Sequence, residues 1–237
     1  MAVASVLLSA IAPASSETTS NKSAVACSAG SRCVGMVSGK AVYVRVNNGR
    51  LQSSPNATTW IERPLAVRTF LRAVTYANGV FVAVGGSYSD EPGIIVTSRD
   101  GATWTRRRQC DKQILYGVAF GNGLFVSVGD EGAIYTSADG IAWKPQPSGV
   151  TNTLLATVSF GNGIFVAGGE SGTILTSTNG HDWKSATFTA PVFVGTIVFE
   201  GNAFAARTGM QTFVSSNGLI WEPGRPAIAF CPGGQGK

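Results

Sequence analysis

Side chains able to bind or catalyse gather in a few short polar loops. The carboxylates are Asp90, Glu91, Asp130, Glu131 and Glu170; the densest cations are Arg106, Arg107 and Arg108; Tyr88 stands just before the first acidic pair. Two carboxylates at a set separation are what glycoside hydrolysis needs. An aromatic platform flanked by charges of both signs suits a sugar or a polar protein epitope. Other chemistries lack parts. His181 is the single histidine, so a Ser-His-Asp or Cys-His system has one choice of base. The four cysteines include no Cys-x-x-Cys pair, which excludes the usual zinc spacings. No glycine-rich loop opens a helix to cradle a phosphate. The expectation is binding without turnover, with no catalytic residue, no metal and no cofactor.

These loops hang on a repeat. The chain's five tryptophans, Trp60, Trp104, Trp143, Trp183 and Trp221, lie 44, 39, 40 and 38 residues apart. Each closes a copy of one box, such as Ser98-Arg99-Asp100-Gly101-Ala102-Thr103-Trp104 or Ser137-Ala138-Asp139-Gly140-Ile141-Ala142-Trp143. The acidic position becomes Asn56, Asn179 and Asn217 in the other three copies. A period near 40 residues marks stacked supersecondary units.

Upstream of each of the last four boxes is an apolar run, for example Val118-Ala119-Phe120, then a turn, Gly121-Asn122-Gly123, then a second run, Leu124 to Gly129. Asn and Gly accept positive φ cheaply, so the turns predict hairpins. A third run, Ala133 to Thr136, precedes the box, and the box leads into a fourth strand. Repeat one fits the same scheme, with Cys33 to Val37 as its first strand. Four short antiparallel strands per repeat, with no helical period, cannot bury both faces alone; radial packing of sheets solves this. The expected fold is all-β, a β-propeller of five four-stranded antiparallel blades, with a part of a six- or seven-bladed propeller as the alternative. Strand direction puts the turns between first and second strands (a–b) on one face with the boxes. It puts the b–c loops and the d–a connectors on the other, where the sequence varies and recognition is expected.

The boxes read as structural: Asn56, Asp100, Asp139, Asn179 and Asn217 bond nearby backbone amides, and Trp60, Trp104, Trp143, Trp183 and Trp221 anchor the blades. Asparagine in three of five copies argues against calcium. The Ser-x-Asp-Gly-x-x-Trp copies resemble the Asp-box (BNR) repeat of sialidases, and the whole unit is similar to photosystem II assembly factor (Ycf48/HCF136)-like repeat proteins, over roughly Cys33 to Trp221. A sialidase would carry an arginine cluster on inner strands and a tyrosine nucleophile. Arg72 is the clearest inner-strand arginine, Arg32 precedes the first repeat and Tyr116 aligns with Arg72, but the triad cannot be placed residue by residue. The resemblance leaves a glycosidase and a fragment of a larger assembly factor as alternatives.

Thirteen per cent charged residues, 30 glycines and a net charge of +5 describe a mildly basic, turn-rich domain, with no like-charge block longer than Arg106–Arg108 to suggest nucleic acid. Residues 1–31 read as a signal-peptide-like segment (Ala2 to Ile11, then Ala12-Pro13-Ala14) and a polar lead-in, too short to span a bilayer. Residues 32–237 read as the propeller. Four cysteines fit an oxidised, exported protein; of three connectivities, Cys27 with Cys231 and Cys33 with Cys110 is favoured because a propeller brings its chain ends together. The sequence thus predicts a secreted or periplasmic monomer. It is expected to bind a protein or glycan through Tyr88, Asp90, Glu91, Arg106, Arg107, Arg108, Asp130, Glu131 and Glu170.

Overall fold

The computed structural model describes residues 32–224, apart from 38–39, 67–68, 89–92, 111–112, 189 and 210, with backbone alone for 32–37, 40, 109 and 110. Twenty strands form five four-stranded sheets. Blade 1 is β1 (Arg32–Val37), β2 (Lys40–Asn47), β3 (Arg50–Ser54) and β4 (Ile61–Arg63); blade 2 is β5 (Leu71–Ala77), β6 (Val80–Gly85), β7 (Gly93–Ser98) and β8 (Thr105–Cys110). Blade 3 is β9 (Leu115–Gly121), β10 (Leu124–Gly129), β11 (Ile134–Ser137) and β12 (Lys144–Gln146). Blade 4 is β13 (Leu155–Gly161), β14 (Ile164–Gly169), β15 (Ile174–Ser177) and β16 (Lys184–Ser185); blade 5 is β17 (Thr196–Glu200), β18 (Ala203–Arg207), β19 (Thr212–Ser215) and β20 (Glu222–Pro223). All pairings within a blade are antiparallel, and innermost strands pack in chain order, β1 on β5, β5 on β9, β9 on β13 and β13 on β17.

The a–b turns have the geometry their residues favour. Asn122 and Asn162 both sit at φ 46° and the following glycines at 76°, the doubly left-handed turn whose twist matches a hairpin. Beyond them the second strands bury an alternating row. Phe81, Phe125, Phe165 and Phe204 are fully buried at equivalent positions, and the first three meet their blade's tryptophan with ring centroids 6.3, 6.4 and 6.5 Å apart.

Each box is a closed local network. In blade 3, Asp139 Oδ1 accepts the N–H groups of Ile141 and Ala142 at 2.8 and 2.9 Å and the Ser137 hydroxyl at 3.0 Å. The Gly140 N–H returns to Ser137 Oγ, and Trp143 Nε1 donates to the Gly140 carbonyl at 2.9 Å. Asn217 accepts the equivalent bonds in blade 5. An amide oxygen does this as well as a carboxylate, which explains why Asp and Asn interchange. Side-chain bonds also confirm which loops share a face: Asn122 Nδ2 donates to the Gly163 and Thr178 carbonyls, tying one a–b turn to the next turn and box.

One expected loop is a strand. Arg106, Arg107 and Arg108 lie in β8, the outermost strand of blade 2, rather than in its connector. The other fourth strands run two or three residues, and those of blades 1, 3 and 5 meet a proline at Pro64, Pro145 and Pro223, whereas β8 has six residues and no proline. The cysteine pairings lie outside what the structure describes: Cys27 and Cys231 fall beyond the described residues, and Cys33 and Cys110 have no described side chains.

Candidate functional site

The second side of the propeller is built where b–c loops meet d–a connectors. In blades 3 and 4 the loop is one tight turn, Asp130–Gly132 and Glu170–Gly172, with Glu131 and Ser171 at positive φ. The turns are sewn to the connectors by backbone bonds, Asp130 N–H to the Ile114 carbonyl and Glu170 N–H to the Leu154 carbonyl, both 3.0 Å. Their carboxylates repeat that work, Asp130 accepting the Ile114 N–H and Glu170 the Leu154 N–H, both at 3.2 Å. Glu170 is therefore a connector clamp first.

Asp130 does more. It is 9% exposed and also accepts the Tyr88 hydroxyl at 2.9 Å, while Tyr88 and Tyr116 oxygens lie 3.5 Å apart. The hydrogen bonds to Tyr116 and Asp130, with partial burial and the nearby negative charge, hold the proton on Tyr88 far above the ordinary phenol range. The residue as a whole is 79% exposed. Beside it, the Arg72 guanidinium carbon lies 4.5 Å from the Tyr116 ring centre and 5.3 Å from that of Phe70. Arg72 Nε is buried without a hydrogen-bond partner among the described residues. Tyr88, Asp130, Tyr116, Arg72 and Phe70 thus form one aromatic and charged cluster at the inner end of blades 2 and 3.

A second hollow lies toward the rim of blade 3, about 490 Å³, walled by Gln113, Glu131, Tyr135, Pro145 and Pro147. A side-chain relay crosses it: Tyr135 Oη donates to Gln113 Oε1 at 3.3 Å, and Gln113 Nε2 donates to Glu131 Oε2 at 3.2 Å. Arg108 stacks over Tyr135 at 4.7 Å and reaches the Trp143 carbonyl, so it joins blades 2 and 3.

The expected residues do not all converge. Tyr88 and Asp130 meet, and Glu131 lies beside them. Arg107 points elsewhere: its Nε donates to Thr97 Oγ1 at 2.8 Å, and it lines a cleft of about 450 Å³ with Asp100 and Asp139, on the box side. Its geometry repeats in Arg63 with Ser53 and Gln146 with Thr136, so the blade architecture accounts for it. Arg106 is exposed on β8. Asp90 and Glu91 lie outside the described residues. Sequence reasoning left Phe70 out of the site and set Arg72 and Tyr116 aside as an isolated pair. Their shared register in adjacent first strands was the available signal.

Among the described residues no cluster of His, Cys, Asp and Glu is placed to hold a metal ion, and no helix is long and apolar enough to cross a membrane.

Residues 63–191 match the family described as the DUF6242 beta propeller domain. The chain belongs to that family. No curated protein matches the sequence. Among solved structures it is similar to YCF48 bound to a D1 peptide, at 17% identity and TM-score 0.60 over 85% of this chain and 68% of that one. Virginiamycin B lyase from Staphylococcus aureus aligns with TM-score 0.69 and 12% identity over 83% of this chain and 70% of the lyase. A chain of the nidogen/laminin complex aligns with TM-score 0.58 and 9% identity, covering 78% of this chain and 75% of that one. At such identities the likeness concerns the fold, and the β-propeller is what all of them share with this family member.

Proposed function

We propose that this propeller is a non-catalytic, exported, monomeric binding module that holds a protein partner on the face of its b–c loops and d–a connectors, centred on Tyr88. One observation carries the reading: an exposed tyrosine, fixed by Asp130, stands next to a guanidinium held between Phe70 and Tyr116 with one donor unused. Rigid aromatic area beside arginine is the composition of interface hot spots. The two structural neighbours named for a peptide and a protein complex agree with a protein partner rather than a glycan. Turnover fits less well, because Asp130 and Glu170 are each engaged by a connector N–H, whereas glycoside hydrolysis needs a proton donor and a base facing the sugar. The Ser-x-Asp/Asn-Gly-x-x-Trp units are read as Asp-box repeats with a structural role, and the Ala2 to Ala14 segment supports export.

Photo-crosslinking in native extract tests the site. A crosslinker at Tyr88 is expected to capture a partner that a crosslinker at Ile141, on the box side, does not. Tyr88→Ala and Arg72→Ala are expected to abolish binding of that partner by the unlabelled protein. Equal capture from both positions sinks the site, and glycoside turnover lost in Glu131→Ala makes the protein an enzyme.

A further inference from the structure

The box of blade 1 departs from the other four in the two residues that follow its amide. It reads Ser54-Pro55-Asn56-Ala57-Thr58-Thr59-Trp60, and Asn56-Ala57-Thr58 is the Asn-x-Thr pattern of an N-glycosylation acceptor. The other boxes lack it. Two residues beyond the Asp or Asn they place Ala102, Ile141, His181 and Leu219, so neither Asn179 nor Asn217 has the hydroxyl. The chain's other match, Asn21-Lys22-Ser23, falls outside the described residues. A three-residue pattern recurs often by chance, and geometry is what sets Asn56 apart.

Asn56 Oδ1 accepts the N–H groups of Thr58 and Thr59 and the Ser54 hydroxyl, all at 3.0 Å. Backbone donors on this atom identify it as the amide oxygen, which puts Nδ2 on the other side of the side-chain carbon, away from those donors. Asn179 makes the same bonds but commits its Nδ2 to Asp182 Oδ2, at 2.8 Å. The matching position in blade 1 is Thr59, which has no carboxylate. Asn56 is exposed, as are Pro55 and Thr58 beside it, and the equivalent Asp100, Asp139, Asn179 and Asn217 are exposed as well. Exposure here is a property of the box, shared by all five blades.

We propose that Asn56 is an acceptor for N-linked glycosylation in a compartment that holds an oligosaccharyltransferase. Nδ2 attacks the anomeric carbon of a lipid diphosphate-linked oligosaccharide. A C–N bond forms, the C–O bond to the diphosphate breaks, and one Nδ2 proton leaves with the lipid diphosphate. The product is still an amide, so Oδ1 keeps its three bonds and the box stays closed. Those bonds reach two and three residues along the chain, so the turn forms without waiting for the blades to assemble. The glycan is bulky and solubilising, and on the box side it leaves the Tyr88 face clear. The inference rests on the export in the proposed function, and the experiment separates the two.

Translation of the full chain into endoplasmic reticulum microsomes decides it. The Asn21→Gln variant is used throughout, so that any glycan reports on Asn56. With an appended signal peptide, the protease-protected chain is expected to migrate one glycan step heavier. Peptide N-glycosidase F should remove the step and leave aspartate at position 56. Thr58→Ala should lose the step, although the N–H at that position still closes the box. Asn56→Asp should lose it too, while keeping the acceptor that Asp139 supplies in blade 3. A protected chain bare at Asn56, or a step that survives Thr58→Ala, overturns the proposal. With the chain's own N-terminus, failure to enter the vesicles counts against export alone, and the appended-signal arm still decides the site.

Discussion

The two faces of the propeller differ in how regularly their side-chain hydrogen bonds recur from blade to blade. On the box side, the Asp or Asn of each box is bonded two and three residues onward, to the same groups in all five blades. On the other side, Tyr88 reaches Asp130, and Gln113 bridges Tyr135 and Glu131. Local bonds recur because every blade needs its c–d hairpin locked in the same way. The a–b turns repeat as well, Asn122 and Asn162 each reaching the next blade's turn and box, whereas bonds among the b–c loops and d–a connectors are free to differ because the scaffold already stands without them. A face that repeats serves the fold, and a face that varies is available for recognition.

That contrast can be broken most sharply at a box. Trp143 is buried against Phe125 and the blade 2 cluster, so Trp143→Ala is expected to cost about 3–5 kcal/mol in denaturant unfolding. Partner binding should survive wherever the protein still folds. A stable Trp143→Ala that no longer binds would place function on the box side.

Asp139→Ala removes the acceptor of two backbone amides and a hydroxyl and is expected to cost about 1–2 kcal/mol, as the loss of a capping side chain does. Asp139→Asn should be close to neutral, because Asn already serves in blades 1, 4 and 5. Acid sharpens the same point. Burial pushes the Asp100 carboxyl up, but the amides of Thr103 and Ala102 and the Ser98 hydroxyl outweigh it and bring it down from 3.8 to about 2. A depressed carboxylate stabilises the fold above its unfolded value and loses that contribution as pH falls through its folded one. Stability should therefore drop between about pH 4 and pH 2, and the drop should shrink in Asp100→Asn. An unchanged acid transition in that variant would remove the box from the account.

Blade 1 offers a smaller test. Ala57 holds φ 62° where the other boxes have glycine, as at Gly140 with φ 74°. Left-handed backbone is costly with a β-carbon, so Ala57→Gly is expected to raise stability, by no more than about 1 kcal/mol once the entropy of glycine is subtracted. The smallest change in stability belongs to the varied face. Tyr88→Ala should stay within about 0.5 kcal/mol in melting experiments, as exposed substitutions do, while binding falls. A large stability loss there would mean the Tyr88–Asp130 bond is a structural pin.

The repeat, the five blades, the a–b turns and the box networks were legible in the sequence, because each rests on contacts within a few residues or on a spacing that recurs. Asn-Gly dictates its hairpin, and a Ser-x-Asp-Gly-x-x-Trp segment carries its own donors and acceptors. The site was legible only in outline. Tyr88 and Asp130 belonged to the expected set, but nothing local says that they bond to each other or that Arg72 and Phe70 stand beside them. Arg107 looked equivalent to Arg106 and Arg108 until the register shift between β7 and β8 set its guanidinium on Thr97 near the blade 3 box, while Arg108 reaches Tyr135 and the Trp143 carbonyl. The contact of Arg45 with Gln52 and Trp60 lay hidden as well, since these are ordinary residues of a repeat until the β2–β3 register brings them together. Periodicity fixes which element a residue occupies; only the packing of distant strands decides which residues meet, because that choice is made by contacts between blades and not within one.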